Sequence, residues 1–190
     1  MKYTVDQIRE IALASNDIKY FAENFVYINT ATETKKKLES VNDYQLEVLE
    51  SFSSEKFFEK IHERQTGKTL IAAVILLHSA LFKENIYQGI VSLRLSHGAD
   101  ILRVINEIYE YLPEHIKVAN ICARNRSNID FDNGSRIFIG SKDYHFRGMG
   151  ITTLYFDEYR YIKEYDKLIE YLYPVVCSGN NSRIFALSSM

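Results

Sequence analysis

Apolar residues recur at three- and four-residue spacing along much of the chain, broken by short runs in which they are consecutive or alternate. Ile8, Ile11 and Ala12, then Ile18, Phe21 and Phe25, predict two short helices within residues 1–28, with Asn16 or Asp17 placed to cap the second. Residues 29–42 are polar, carry Lys35, Lys36 and Lys37, and read as a solvated linker. From Asp43 the helical period returns in Tyr44, Leu46, Leu49 and Phe52. The stretch Phe57–His62 then leads through Gln65-Thr66-Gly67-Lys68-Thr69 into a long helix reaching about Phe82. Ile90–Arg94 is a strand candidate, and a helix from about Gly98 to Leu112 follows, with Ile101, Leu102, Ile105, Ile108 and Leu112 on one face and Pro113 as its stop. Ile129, Phe131, Ile137 and Ile139 alternate around Asp132-Asn133-Gly134, a strong hairpin signal. Thr152–Phe156 reads as a strand that delivers Asp157 and Glu158, a helix near Lys163–Tyr173 is expected to end at Pro174, and Arg183–Leu187 is a final strand.

Strands alternating with helices imply an α/β fold with a mainly parallel sheet and helices on both faces. Ligands in such sheets bind beyond the carboxyl ends of the strands, where both Gly67-Lys68-Thr69 and Asp157-Glu158 fall. The 190 residues are expected to form one domain, and 46% hydrophobic with 25% charged residues excludes disorder and collagen-like repeats. A net charge of -2 means that any nucleic-acid contact must come from a local patch. Cys122 and Cys177 lack CxxC partners and read as two buried thiols of a reducing compartment. The longest apolar run, Leu70–Leu77, is far short of the ~20 residues that cross a bilayer, and residues 1–6 carry no signal-peptide core. A soluble, non-secreted protein without a membrane partner is expected.

Gly67-Lys68-Thr69 between a strand and a helix fits the core of a phosphate-binding loop. Backbone N–H groups and the helix N-terminus would wrap the phosphates, Lys68 would neutralise their oxygens, and the Thr69 hydroxyl would ligate Mg²⁺. The full pattern GxxxxGK[ST] fails at its first glycine, where His62 stands. Asp157 and Glu158 at a strand end, about 90 residues on, fit a carboxylate that holds Mg²⁺ and a second that activates the attacking water. That separation, with two other strand candidates within it, implies the P-loop subclass with an additional strand between the lysine strand and the acid strand. Arg64 in the loop, and Arg147 in His145-Phe146-Arg147-Gly148, are candidate transition-state arginines, each with an exposed-loop alternative. Tyr44 and Gln45 are placed to stack on and hydrogen-bond an adenine, or are a plain helix N-terminal turn. Ser188 and Ser189 are a candidate γ-phosphate sensor, or a polar strand end. The five histidines lack ligand spacing, so no metal beyond nucleotide-bound Mg²⁺ is expected.

Together, Asp43-Tyr44-Gln45, Arg64-Gln65-Thr66-Gly67-Lys68-Thr69, Asp132-Asn133-Gly134-Ser135, Arg147-Gly148, Leu154-Tyr155-Phe156-Asp157-Glu158 and Leu187-Ser188-Ser189 resemble the ATPase domain of the large terminase subunit of tailed bacteriophages. The resemblance runs from about residue 20 to the end. It implies an α/β P-loop NTPase of the additional-strand, RecA-like type, hydrolysing ATP with Mg²⁺ to pack double-stranded DNA into a procapsid in the host cytoplasm. The partners it implies are the portal protein, the small terminase subunit and further copies of the chain in a ring. By position, Gln45 reads adenine, Arg64, Gln65, Thr66, Gly67, Lys68 and Thr69 bind phosphate and Mg²⁺, Asp157 holds Mg²⁺, and Glu158 activates water. Arg64 or Arg147 is then the arginine trigger, and Ser188-Ser189 couples hydrolysis to movement. Glu63 departs from the small residue frequent at its position. Residues 1–42 are expected to be a helical segment and linker, and 43–190 an ATPase core ending before a lid and nuclease domain, so no nuclease activity is implied. A helicase-like DNA translocase and a non-catalytic nucleotide-binding remnant are the alternatives.

Overall fold

Seven strands form one sheet in the computed structural model, which describes residues 3–29, 34–140, 150–176 and 182–190. The chain opens with α1 (Val5–Asn16) and α2 (Ile18–Phe25), then a two-residue strand β1 (Tyr27–Ile28) pairs with β2 (Lys36–Lys37). After α3 (Asp43–Ser54) come β3 (Phe57–His62), α4 (Lys68–Phe82), β4 (Tyr87–Val91) and α5 (Leu95–Tyr111). The antiparallel strands β5 (Ile121–Arg124) and β6 (Asn128–Phe131) lead to β7 (Arg136–Gly140), followed by β8 (Thr153–Asp157), a 3-10 turn at Tyr159–Tyr161, α6 (Tyr165–Val176) and β9 (Arg183–Ser189).

The strand order is β3-β9-β8-β4-β7-β6-β5. All four pairings from β3 to β7 are parallel, and β6 and β5 extend the sheet as antiparallel strands. β9 therefore lies between the lysine strand β3 and the acid strand β8, which is the additional-strand arrangement expected from sequence. One sheet face carries Phe58, Ile90, Tyr155, Phe185 and Leu187 into a core shared with α2, α3, α4 and α5. The other carries Phe57, Val91, Leu154, Phe156, Ile184 and Ala186 against α6. Alternation along parallel strands covered on both sides explains why these strands read as continuous apolar runs.

α4 is enclosed: Ile71 through Leu77 are all 0% exposed, as suits a helix apolar all round. His78 continues it, stacked edge-on against Phe21, and its Nε2–H donates to the Ala14 carbonyl at 2.8 Å, tying α1 to α4. Burial pushes this imidazole down to about 4 despite the bond to Ala14. The unfolded chain then binds the extra proton, so stability is full above the unfolded value near 6.5 and falls as pH drops toward 4. Thermal melts between those limits are expected to show a loss on the order of 3 kcal/mol that a His78→Phe variant lacks.

Several expectations change. The apolar face predicted for α1 is only partly buried: Ile11 and Ala14 pack on the core while Ile8 and Ala12 are exposed, because α1 lies at the rim of the core. Residues 36–37 of the predicted linker form β2, held by pairing with β1. α6 does not stop at Pro174 but runs to Val176. Proline forfeits one helical N–H, and Leu172 and Val176 packed in the second core hold the last turn. Cys122 is exposed on the edge strand β5 rather than buried, since β5 has only β6 beside it; Cys177 lies outside the described residues. Among the described residues no helix is long and apolar enough to cross a membrane.

Candidate functional site at the carboxyl ends of the parallel strands

β3 ends at His62 and α4 begins at Lys68, so Glu63–Gly67 form the turn between them. Two of its residues occupy the left-handed backbone region, Gln65 at φ 64° and Gly67 at φ 81°. Glycine suits the second because its φ of 81° strains any residue with a side chain, and a Cβ there would lie 2.4 Å from Gln45 Nε2 and push that amide aside. Lys68 Nζ and Thr66 Oγ1 both donate to the Glu63 carbonyl, at 3.1 and 3.0 Å, closing the loop on itself. Glu63 thus serves the loop through its backbone while its side chain is exposed, so the unusual residue leaves the turn intact.

The first turn of α3 braces this loop from outside. Asn42 and Gln45 exchange hydrogen bonds as a capping box, and the Asn42 and Gln45 side-chain amides also donate to the Thr66 carbonyl at 3.2 and 3.4 Å. Gln45 is 4% exposed, with its carbonyl on Asn42 N–H and one amide hydrogen on the loop; a second hydrogen and lone pair remain. Tyr44 is 5% exposed, and its ring packs against His62 at 4.5 Å. Of the two readings left open by the sequence, the described geometry shows Tyr44 packed inward at the helix N-terminal turn, next to the Asn42 cap. His62, in place of the first loop glycine, is the last residue of β3 and fills the space beneath Tyr44.

All of β8 is buried, and it delivers Asp157 at 9% exposure. Burial pushes the Asp157 carboxyl up, while the Tyr155 hydroxyl, donating to Oδ1 at 2.9 Å, acts against that rise. Glu158 adopts a left-handed conformation, φ 52° and ψ 47°, a strained one for a residue with a side chain. Its N–H donates to the Leu187 carbonyl at 2.8 Å, and its carboxylate accepts from Ser189 N (2.7 Å), Ser189 Oγ (2.6 Å) and Ser188 Oγ (3.2 Å). Burial would raise the Glu158 carboxyl, but these hydrogen bonds outweigh it and hold the group below its ordinary range.

A cleft of about 680 Å³ opens between the two halves, lined by Arg64, Gln65, Gly67, Lys68 and Thr69 from the loop and by Glu158 and Ser189 from the strand ends. Thr66, Gln45, Tyr44, Asp157 and Ser188 are not among the lining residues, and Arg147 lies outside the described residues. Sequence reasoning missed Leu93, His97 and Tyr161, which complete the wall. The signal was available in part: Leu93 and His97 follow the end of β4, the parallel strand beside β8, and Tyr161 follows Glu158 by three residues.

The volume falls in the range of small-molecule sites, roughly 300–1,000 Å³. The left-handed turn and the start of α4 offer N–H groups and a positive dipole end to phosphate, and Lys68 Nζ donates to a loop carbonyl. The Thr69 hydroxyl and the Asp157 carboxylate are hard oxygen donors of the kind Mg²⁺ takes together with phosphates and water. The residues present fit a Mg²⁺-nucleotide.

A family profile described as "Terminase large subunit, T4likevirus-type, N-terminal" matches residues 64–187. Among solved structures, the HK97 bacteriophage large terminase superposes with a TM-score of 0.71 at 15% identity, over 92% of this chain and 37% of that one. The large terminase of the thermophilic bacteriophage D6E in complex with ADP gives 0.58 at 11% identity, over 78% of this chain and 38% of that one. The Thermus phage P74-26 large terminase ATPase domain gives 0.55 at 14% identity, over 77% and 64%. The chain spans less than two thirds of the length of each of these. With the profile spanning the loop, the acid strand and most of the last strand, the chain belongs to the T4-like-virus type of terminase large subunits, in their N-terminal part.

Proposed function

We propose that this chain hydrolyses ATP and that hydrolysis drives double-stranded DNA into a procapsid, the chain acting in a homo-oligomeric ring on the portal protein together with the small terminase subunit in the host cytoplasm. The observation that carries the hydrolytic reading is the Glu158 carboxylate, ionised and fixed by Ser188 and Ser189 at the rim of the cleft whose opposite wall is Lys68 and Thr69. Family membership and the D6E terminase structure with ADP support the nucleotide and the packaging role.

In this reading the loop N–H groups and Lys68 bind the β- and γ-phosphates, and Thr69 and Asp157 hold Mg²⁺, which neutralises charge developing on the phosphate oxygens. Tyr155 orients the Asp157 carboxylate from behind. Glu158 accepts the proton of the attacking water and orients that water toward phosphorus. Arg64 lies in the cleft wall as a transition-state cation, with Arg147 as the other candidate. Ser188 and Ser189 connect the base to β9, so a change of charge at the γ-phosphate is felt at the end of that strand. Gln45 contributes to adenine recognition through its free hydrogen and lone pair, in addition to bracing the loop. Residues 43–190 form the ATPase core, and residues 1–42 form a segment packed on it.

Lys68→Ala removes the phosphate-binding cation without touching Glu158. Its affinity for a fluorescent ATP analogue is expected to fall tenfold or more, with phosphate release falling in parallel. Wild-type affinity and release in that variant would overturn the nucleotide-site assignment.

A further inference from the structure

The β5–β6 hairpin turns at Asn125–Ser127, and its position follows from the register. Asn128 pairs with Phe138 at the middle of β7, the Ser127 carbonyl accepts from Ile139 N–H one residue further toward its carboxyl end, and Arg124 pairs with Ile129. The hairpin tip therefore sits on the same side of the sheet as the nucleotide cleft, displaced from β8 across β4, β7 and β6 by roughly 19 Å at ~4.8 Å per strand. Between this tip and α5 runs a groove of about 440 Å³ lined by Ala99, Leu102, Arg103, Asn106, Arg124, Asn125 and Arg126. Among the described residues no carboxylate lines it. Its polar side chains are three guanidiniums and two amides, in a protein whose net charge is -2.

The guanidiniums are available. Arg126 is exposed and has no ion-pair partner among the described residues. Arg124 meets Glu110 at 2.6 Å, and Arg103 meets Asp100 and Glu107 at 3.8 and 3.7 Å, but in each pair the arginine is at least half exposed. Pairs exposed on both sides, as Arg124–Glu110 and Arg103–Asp100 are, are screened and weak, and a guanidinium can take a phosphate with bidentate hydrogen bonds. α5 also joins this groove to the nucleotide cleft, since His97 in its first turn lines the cleft and Arg103, about 9 Å further along the axis, lines the groove.

We propose that the groove formed by Arg103, Arg124 and Arg126 grips the phosphate backbone of duplex DNA, and that α5 transmits its position to the nucleotide cleft. The proposal rests on the reading of the chain as a DNA-translocating ATPase and supplies the contact surface that reading lacks. Guanidinium and amide donors lining a groove suit a row of phosphates, and contacts to phosphate carry no base readout, which matches a motor that must move along any sequence.

The test uses the whole chain, a fluorescent duplex of about 30 base pairs, and anisotropy titrations from about 50 to about 200 mM salt. Changing Arg103, Arg124 and Arg126 together to Ala is expected to weaken binding tenfold or more and to lower the slope of log affinity against log salt by about 2–3. The same three changed to Lys are expected to retain both affinity and slope. Arg126→Glu alone, at an exposed and unpaired position, is expected to weaken binding about tenfold without altering the thermal midpoint. DNA-free ATP hydrolysis should equal wild type in every variant, so a failure of the groove is separable from a failure of the ATPase reading. Equal duplex affinity and slope in wild type and the triple Ala variant, or equally effective displacement of the duplex by poly-glutamate of the same charge, would overturn the proposal; the second result would assign the groove to an acidic protein segment.

Discussion

Glu158→Gln is expected to lower ATP turnover by ~10²–10⁴-fold while nucleotide affinity stays within about threefold of wild type. Gln keeps the length, the planar head and a carbonyl that still accepts from Ser189, so the left-handed backbone at this position has the same support. What disappears is the group that takes a proton. Phosphate release and fluorescent-nucleotide titration separate the two quantities; an unchanged release rate would sink the assignment of the base. The pH profile gives a second reading. Burial raises the Glu158 carboxyl and the bonds from Ser189 and Ser188 lower it, with the lowering dominant. A base held low stays ionised until the medium is more acid than its ordinary range, so the acid limb of the wild-type profile lies low. Ser189→Ala removes a 2.6 Å bond to the carboxylate, and the acid limb is expected to move to higher pH.

Phe185→Ala is expected to destabilise the fold by about 3–5 kcal/mol and to lower the thermal midpoint by roughly 6–20 °C. Phe185 is 0% exposed at the centre of β9, the strand inserted between β3 and β8. Its ring stacks on Tyr155 at 4.7 Å and on Phe58 at 5.7 Å, and meets Phe52 edge-on at 5.5 Å. One side chain thus joins the phosphate-loop strand, the acid strand and α3. Its removal leaves a cavity bounded by three rings on regular elements, which cannot collapse around it without shifting the sheet. Because Tyr155 also orients Asp157, the same variant is expected to weaken the Mg²⁺ dependence of turnover more than it weakens nucleotide binding; scanning calorimetry and a Mg²⁺ titration check the two parts.

The legible part of the site was the part built from neighbours in sequence. Gly67-Lys68-Thr69 announce a turn into a helix because glycine tolerates the left-handed region and the next residues carry the charge and the hydroxyl. Leu154–Phe156 announce a buried strand because nothing polar interrupts it, and Asp157 and Glu158 stand out at its end. The hairpin around Asn133-Gly134 was readable for the same local reason and appears as β6 and β7, with the Asn133 amide donating to the Ala80 and Lys83 carbonyls. β5 was missed because Ile121–Arg124 is an exposed edge strand with a register shift, which leaves little alternation to detect.

By itself, then, the sequence determined the alternation of strands and helices, the phosphate loop and the paired acids at a strand end, since each rests on backbone preference or hydrophobic period within a few residues. Only the tertiary structure decided that β9 runs between β3 and β8 and so brings Ser188 and Ser189 onto Glu158, thirty and thirty-one residues away along the chain. It also decided that Tyr44 packs on His62, that Gln45 occupies the space a Cβ at Gly67 would need, and that His97 and Arg103 belong to two different clefts on one helix. The physical reason is the order of strands in a sheet. Parallel neighbours are joined by crossovers rather than by turns, so which strand ends meet is settled by how both faces are buried at once, and no local pattern in the chain carries that information.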